Sequence, residues 1–278
     1  MGDDTVLAGP HGQATPVRRP GWREPTIELA GLIVVIGLYW WLHNLAGTDV
    51  ARATANAHTL QSVERPLGLD VELSANRWLA RSPVLIAAAV WYYRLYYVPL
   101  AGVLLWLLFR HTEVYRRVRV TLVVMAAMAL LVFWLLPMSP PRFALPGIVD
   151  IVAEHDAIAG AASRDLSNGQ NHFSAFPSLH VGWSALCAYA VWLVLRGSRS
   201  RLALLVWLFP GAMVVVVIAT GNHYVLDVIG SMVLLGISIA AAHAWERYRR
   251  RYGGADAWLI RTSRGPSDGT GDQRRSQR

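Results

Sequence analysis

Residues 118–136 read VRVTLVVMAAMALLVFWLL, and the next seven read PMSPPRF. A single charge, Arg119, falls in the first stretch. A helix needs about 20 apolar residues to cross roughly 30 Å of hydrocarbon, and this run meets that length. It is apolar all round, so it reads as a membrane span and not as one face of a soluble helix. Its flanks differ in kind. Upstream lie Arg110, Arg116, Arg117 and Arg119; downstream come Pro137, Pro140, Pro141 and Pro146, with Arg142 among them.

Working outward from this run, five more apolar stretches stand at about 26–45, within 83–109, and at about 178–195, 202–220 and 224–244. With 54% hydrophobic and only 16% charged residues, the composition is that of a membrane protein. The spacing predicts an all-α, polytopic bundle of six transmembrane helices occupying residues 26–245. A polar, disordered tail is expected at 1–25 and a basic tail at 246–278, disordered from residue 253. The first run is longer than the core of a signal peptide, which predicts an uncleaved helix.

All 26 basic residues are arginine. Nineteen fall in the N-terminal tail, the second-to-third and fourth-to-fifth connections and the C-terminal tail; six are spread over the much longer opposite loops. The positive-inside rule then predicts both termini in the cytoplasm and connections 46–82 and 137–177 outside, in a multi-pass protein of the cell membrane. The pI near 10.1 belongs to these clusters. No aromatic-interleaved basic face is present, so no nucleic-acid partner is expected. The single cysteine, Cys187, lies in an apolar run and excludes an intrachain disulfide.

The outer connection 46–82 carries apolar residues at near-helical spacing (Leu60, Val63, Leu67), broken at Pro66 and Gly68. It predicts two short amphipathic helices on the membrane surface. The run 83–109 is longer than a span needs and contains Arg94 and Pro99. An arginine at mid-bilayer is unfavourable, which predicts residues 83–89 at the outer interface and a crossing helix from near Val90. That lifts Arg94 towards the headgroups, either to hold an anionic substrate or to snorkel to lipid phosphates.

Three clusters carry chemistry, all on the predicted outer side. Around Pro140-Pro141-Arg142 the prolines forbid helix and stiffen the chain, fixing a guanidinium suited to phosphate oxygens or to anchoring on headgroups. Phe173 to His180 reads FSAFPSLH. Pro177 and Ser178 mark a helix start, whose free N–H groups favour an anion, with His180 in the first turn. Ser184 shares its face and is placed to orient it. Gly221 to Asp227 reads GNHYVLD. His223 and Asp227 stand four apart, so the carboxylate can accept Nδ1–H and leave Nε2 free as nucleophile or base. Two histidines opening two spans on one side can face one phosphate. A zinc site is the rival for such a set, but neither HExxH nor a cysteine pair supports it, and no metal is expected.

These clusters resemble the type-2 phosphatidic acid phosphatase superfamily, whose second signature reads Pro-Ser-Gly-His and whose third ends His-x-x-x-Asp. Phe176-Pro-Ser-Leu-His180, Pro140-Pro-Arg142 and His223-Tyr-Val-Leu-Asp227 are more similar to the branch containing fungal inositol phosphorylceramide synthase and its bacterial relatives. The likeness covers about residues 25–245. It departs at Val216 and Val217, where the superfamily carries Ser-Arg, and lacks the leading lysine of the first signature; the branch likeness predicts both losses.

The resemblance implies a metal-independent lipid phosphotransferase with no cofactor, moving a phospho-alcohol headgroup such as phosphoinositol through a phosphohistidine. His223, Asp227 and His180 are its implied catalytic residues, with Arg142, Ser178 and Arg94 on the phosphate. A lipid-phosphate phosphatase differs only in using water as acceptor. A transporter or scaffold predicts no His and Asp clustering and favours an internal repeat, which is absent. A cytidine-diphosphate-alcohol transferase lacks its multi-aspartate signature. Partners are a lipid phosphate and the membrane; the oligomeric state is open. Residues 151–172, rich in small and polar residues, read as a mobile outer loop.

Overall fold

The computed structural model describes residues 23–46, 49–156, 165–166 and 168–262. The expected tail at 1–22 and the chain beyond 262 lie outside these, as do 157–164 and 167 of the outer loop. The chain divides into two units, Met1–Gly37 and Leu38–Arg278. The described part of the first is the start of α1 (Arg23–Leu45), where Ile27, Ile33 and Val34 stand exposed. Every other element belongs to the second.

Among the described residues eleven further α-helices follow: α2 (Val50–Glu64), α3 (Glu72–Leu79), α4 (Pro83–Leu95), α5 (Tyr97–Arg110), α6 (Thr112–Leu135), α7 (Pro141–Ala144), α8 (Ile151–His155), α9 (Leu179–Leu195), α10 (Ser200–Leu205), α11 (Leu208–Ala219) and α12 (Val225–Thr262). Among the described residues there is no strand, only one isolated parallel bridge between Met138 and Ser174. Five of the described stretches are long and apolar enough to cross a membrane: Thr26–Leu45, Pro83–Arg110, Thr112–Leu135, Ser200–Ala219 and Val225–Tyr252. The sixth apolar helix, α9, has 17 residues, short of that length.

Two of these stretches break for the same reason. Proline has no N–H and its ring crowds the carbonyl four residues back. Pro99 faces Leu95 in this way, and α4 ends there. Pro210 faces Val206, and α10 ends one residue before it. The break in the second run therefore falls at Tyr96. Residues 83–89 belong to one continuous α4 with Arg94, and no new helix starts near Val90.

α6, α9 and α12 form the core, with α5 against them; Met125, Phe133, Ala185, Leu186 and Leu234 are buried there. Outward, Leu131, Trp134, Val215 and Val233 are exposed, the pattern of a bundle solvated by lipid. At one end of the α6–α12 pair, Arg117 grips Glu246 with two hydrogen bonds of 2.9 Å. At the other end the polar segments gather. Here the side chains of Arg52 and Asn56 on α2 donate to the carbonyls of Leu135 (2.6 Å) and Pro137 (2.8 Å), satisfying acceptors that the end of α6 leaves open.

Three expectations are corrected. The proline run contains helix: α7 is a single turn with Pro141 in its first position, where the missing N–H has no partner to lose. The basic tail is helical as far as Thr262. The outer loop starts as α8, with Ile151 buried against α4 and Val152 also buried, so its first part belongs to the core. The two helices of 46–82 form as expected and break at Gly68, whose φ is 66°.

Candidate active site

The N-terminus of α9 and the segment before α12 meet at the polar end. Ser178 caps α9, its hydroxyl accepting from Val181 N–H at 3.5 Å. Its own N–H donates to the carbonyl of Asp227 (3.2 Å), and its carbonyl accepts from Ser231 Oγ (2.6 Å). Ser178 is thus a buried tie between α9 and α12, and it does not line the cavity described below.

His180, second residue of α9, stacks on Tyr93 with ring centroids 4.2 Å apart and meets Tyr96 at 4.4 Å. Two α4-side aromatics therefore hold its ring. Ser184 does not orient it: among the described residues, the buried Ser184 hydroxyl has no hydrogen-bond partner. His223 follows Gly221, whose φ of 71° turns the chain between α11 and α12. Any side chain at 221 would also meet Ile148 at 2.6 Å. The two imidazoles face one another with centroids 5.7 Å apart at 59°.

His223 Nδ1 lies 2.8 Å from the carbonyl oxygen of Ala175 and 3.3 Å from Asp227 Oδ2. Both neighbours are acceptors, so Nδ1 carries the proton and Nε2 is left free. Asp227 is fully buried, and its Oδ2 also accepts from Tyr224 N–H at 2.8 Å.

Arg142 is fixed by its backbone and by its head. Its N–H donates to Gly221 O at 2.8 Å, its guanidinium donates to Asn222 Oδ1, and Asp150 Oδ2 stands 3.8 Å away. Phe143 lies under the guanidinium at 4.7 Å. Arg94 is ion-paired with Asp156, which follows α8.

A cavity of about 340 Å³ joins these groups. His180, His223, Arg142, Arg94 and Asn222 line one part of it. Tyr39, Trp40, Phe133 and Trp183 give aromatic walls, and His43, Gln170, Asn171 and His172 add polar ones. Burial and the charge of Arg142 hold His172 below the ordinary imidazole range, so it stays neutral at pH 7. Among the described residues no group of three or more His, Cys, Asp or Glu is arranged to hold a metal ion.

Of the residues singled out in the sequence, His180, His223, Arg142 and Arg94 share this cavity, Asp227 stands behind His223, and Ser178 is turned to the helix cap. Sequence reasoning missed the Ala175 carbonyl, which no residue type announces, and the anions beside the arginines, Asp150 and Asp156. It also missed Glu64. A signal for it existed: Ala53, Ala57, Leu60 and Glu64 repeat at helical spacing along one buried face.

Apolar helices, with five of the described stretches long enough to cross a membrane, bring two imidazoles and two guanidinium groups to one polar cavity, the build of a membrane protein. The chain belongs to the PAP2 superfamily, whose family model matches residues 58–241 and so takes in all six singled-out residues. Membership points to phosphatase or phosphotransferase activity on lipid phosphates. No curated protein and no solved structure matches the chain.

Proposed function

We propose that the protein is a lipid phosphotransferase of the inositol phosphorylceramide synthase-like kind, moving a phospho-alcohol headgroup, such as phosphoinositol, between lipids. α9 serves as a sixth span, both termini lie in the cytoplasm, and the cavity opens on the extracytoplasmic side of the cell membrane. The observation that carries the reading is the pair of imidazoles 5.7 Å apart beside Arg142.

In the first step His223 Nε2 attacks phosphorus and forms a P–N bond. The P–O bond to the lipid breaks, and His180 gives its proton to the departing alkoxide. The bound phosphate's negative charge favours the protonated His180 that this step requires. In the second step the acceptor hydroxyl gives its proton to His180 and its oxygen attacks phosphorus. The P–N bond breaks and His223 is restored. Arg142, held by Asn222, stabilises the oxygens that gain charge, and Arg94 supplements it. No metal enters either step. The cavity that takes in the two imidazoles is also lined by His43, Gln170 and Asn171, more room than a water acceptor needs, which favours an alcohol.

The test uses purified protein and phospholipid radiolabelled in its phosphate, with and without an added lipid alcohol, resolved by thin-layer chromatography. A new labelled lipid that depends on the added alcohol is the expected result. Label released only to water, as the headgroup phosphate from a diester or as free phosphate from a monoester, would make the protein a hydrolase.

A further inference from the structure

The first turn of α12 is held by carboxyl groups from elsewhere in the chain. Leu226 N–H donates to Glu64 Oε1 at 2.7 Å, and Val225 N–H to Glu72 Oε1 at 3.3 Å. Tyr224 N–H donates to Asp227 Oδ2 at 2.8 Å. Three consecutive N–H groups thus each have their own carboxyl. The opening N–H groups of a helix have no partner within it, and one short side chain ordinarily satisfies one of them. Here two partners come from α2 and from the start of α3.

Both glutamates are buried, at 0% and 1% exposure. A buried acid is unfavourable unless it is hydrogen-bonded, and acids set this close cannot all ionise. Burial, with Glu72 and Asp227 beside it, pushes Glu64 up to about 8, so it keeps its proton at neutral pH. One turn after Glu72, Asn76 adds a further tie. Its amide donates to Val149 O (2.9 Å) and Ala219 O (3.0 Å) and accepts from Val149 N–H (2.8 Å). α2 and α3 therefore hold both ends of the segment 219–226, which carries Asn222 and His223, while Glu64, Glu72 and Asn76 do not line the cavity.

We infer that Glu64 and Glu72 are positioning residues of the transfer reaction, fixing the Tyr224–Leu226 turn so that His223 and Asp227 meet His180 in a reactive pose. This rests on the function proposed above. A misplacement of 1 Å at a reacting group costs about 10²-fold in rate, so an anchor on the turn beside the nucleophile acts on kcat.

The test uses the full-length protein in detergent, with Glu64→Ala, Glu72→Ala, Glu64→Gln and Glu72→Gln. Glutamine keeps an acceptor oxygen at the same reach; alanine removes it. Gel filtration and far-ultraviolet circular dichroism report the fold. The readouts are kcat and KM on the lipid phosphate, and orthovanadate binding followed by tryptophan fluorescence, since Trp40 and Trp183 line the cavity. Both alanine variants are expected to lose about thirtyfold in kcat with KM within about threefold, and to bind vanadate about tenfold more weakly, while the glutamine variants stay near wild type.

Should an alanine variant not fold, the aspartate variant decides, because its carboxyl is one methylene short and must show the same loss. Folded alanine or aspartate variants with wild-type kcat and vanadate affinity overturn the inference alone. So do glutamine variants as damaged as alanine. A wild-type protein that neither binds vanadate nor turns over lipid phosphate removes the functional reading and this inference with it.

Discussion

His223 Nδ1 is closer to the carbonyl oxygen of Ala175, at 2.8 Å, than to the carboxylate of Asp227, at 3.3 Å. The tautomer of the proposed nucleophile is therefore held by the backbone as well as by the acid. Where a carboxylate alone sets the tautomer, replacing it with an amide costs about 10⁴ in kcat. Asp227→Asn keeps an acceptor for Tyr224 N–H and leaves Ala175 in place, so kcat is expected to fall by only about 10–10²-fold. A loss as deep as that of His223→Ala in the same assay contradicts this.

Arg142 reaches Asn222 and the cavity at once, a geometry that a fork of donors permits and an ammonium does not. Arg142→Lys is expected to recover little of the roughly 10²-fold loss in kcat/KM shown by Arg142→Ala. Asn222→Ala, which frees the guanidinium, should show a smaller loss. Steady-state kinetics on all three variants checks the order; a lysine variant near wild type breaks it.

The Arg94 guanidinium is paired with Asp156 at the cavity wall. Asp156→Asn leaves that positive charge for the substrate, so KM for an anionic lipid should drop a few-fold, and Arg94→Ala should raise it. If Asp156→Asn changes KM equally in the presence and absence of Arg94, the pair does not act on the substrate.

Gly230 on α12 faces the ring of Phe176, and a Cβ there would stand 2.6 Å from it. Phe176 leads into Pro177 and His180, so the clash displaces the segment carrying one imidazole. Gly230→Ala is expected to lose about 1–3 kcal/mol of stability, read as a lower thermal midpoint, together with kcat. An unchanged midpoint would show that the ring yields freely.

Glu64 links stability to pH. In the unfolded chain it ionises in the ordinary carboxylate range near 4.3, and in the folded protein at about 8. Between those values folding takes up a proton, so the wild-type protein loses stability as pH rises through that window, with no further loss above it. Glu64→Gln lacks this proton. Its thermal midpoint relative to wild type should climb by several degrees from pH 5 to pH 8 and then level off. A constant difference across that range contradicts the assignment.

The sequence made the membrane-spanning elements legible because apolar runs of that length have few alternative readings. His180 was legible because it stands in the first turn of a helix with a marked start, and His223 because it closely precedes another. Less was readable where backbone supplies the partner or where distant residues pair. Ala175 contributes only its carbonyl, and Asp156 meets Arg94 across 62 positions. Pro99 is visible in the sequence, but the cost of burying Arg94 points to a break near Val90, whereas the crowding of Leu95 by Pro99 sets it at Tyr96. α2 and α3 read as amphipathic because Leu60, Val63 and Leu67 recur at helical spacing. In the fold Val63 and Leu67 stay exposed, while Glu64, Glu72 and Asn76 turn inward, where they satisfy backbone groups of the segment 219–226.

The most direct test of the account is chemical. Wild-type protein is incubated briefly with ³²P-labelled phospholipid, quenched in alkali and digested, and the labelled peptide is sequenced. An acid-labile, alkali-stable label is expected on His223, disappearing when acceptor alcohol is added and never forming in His223→Ala. A label on another residue, or turnover that continues in His223→Ala, would contradict it.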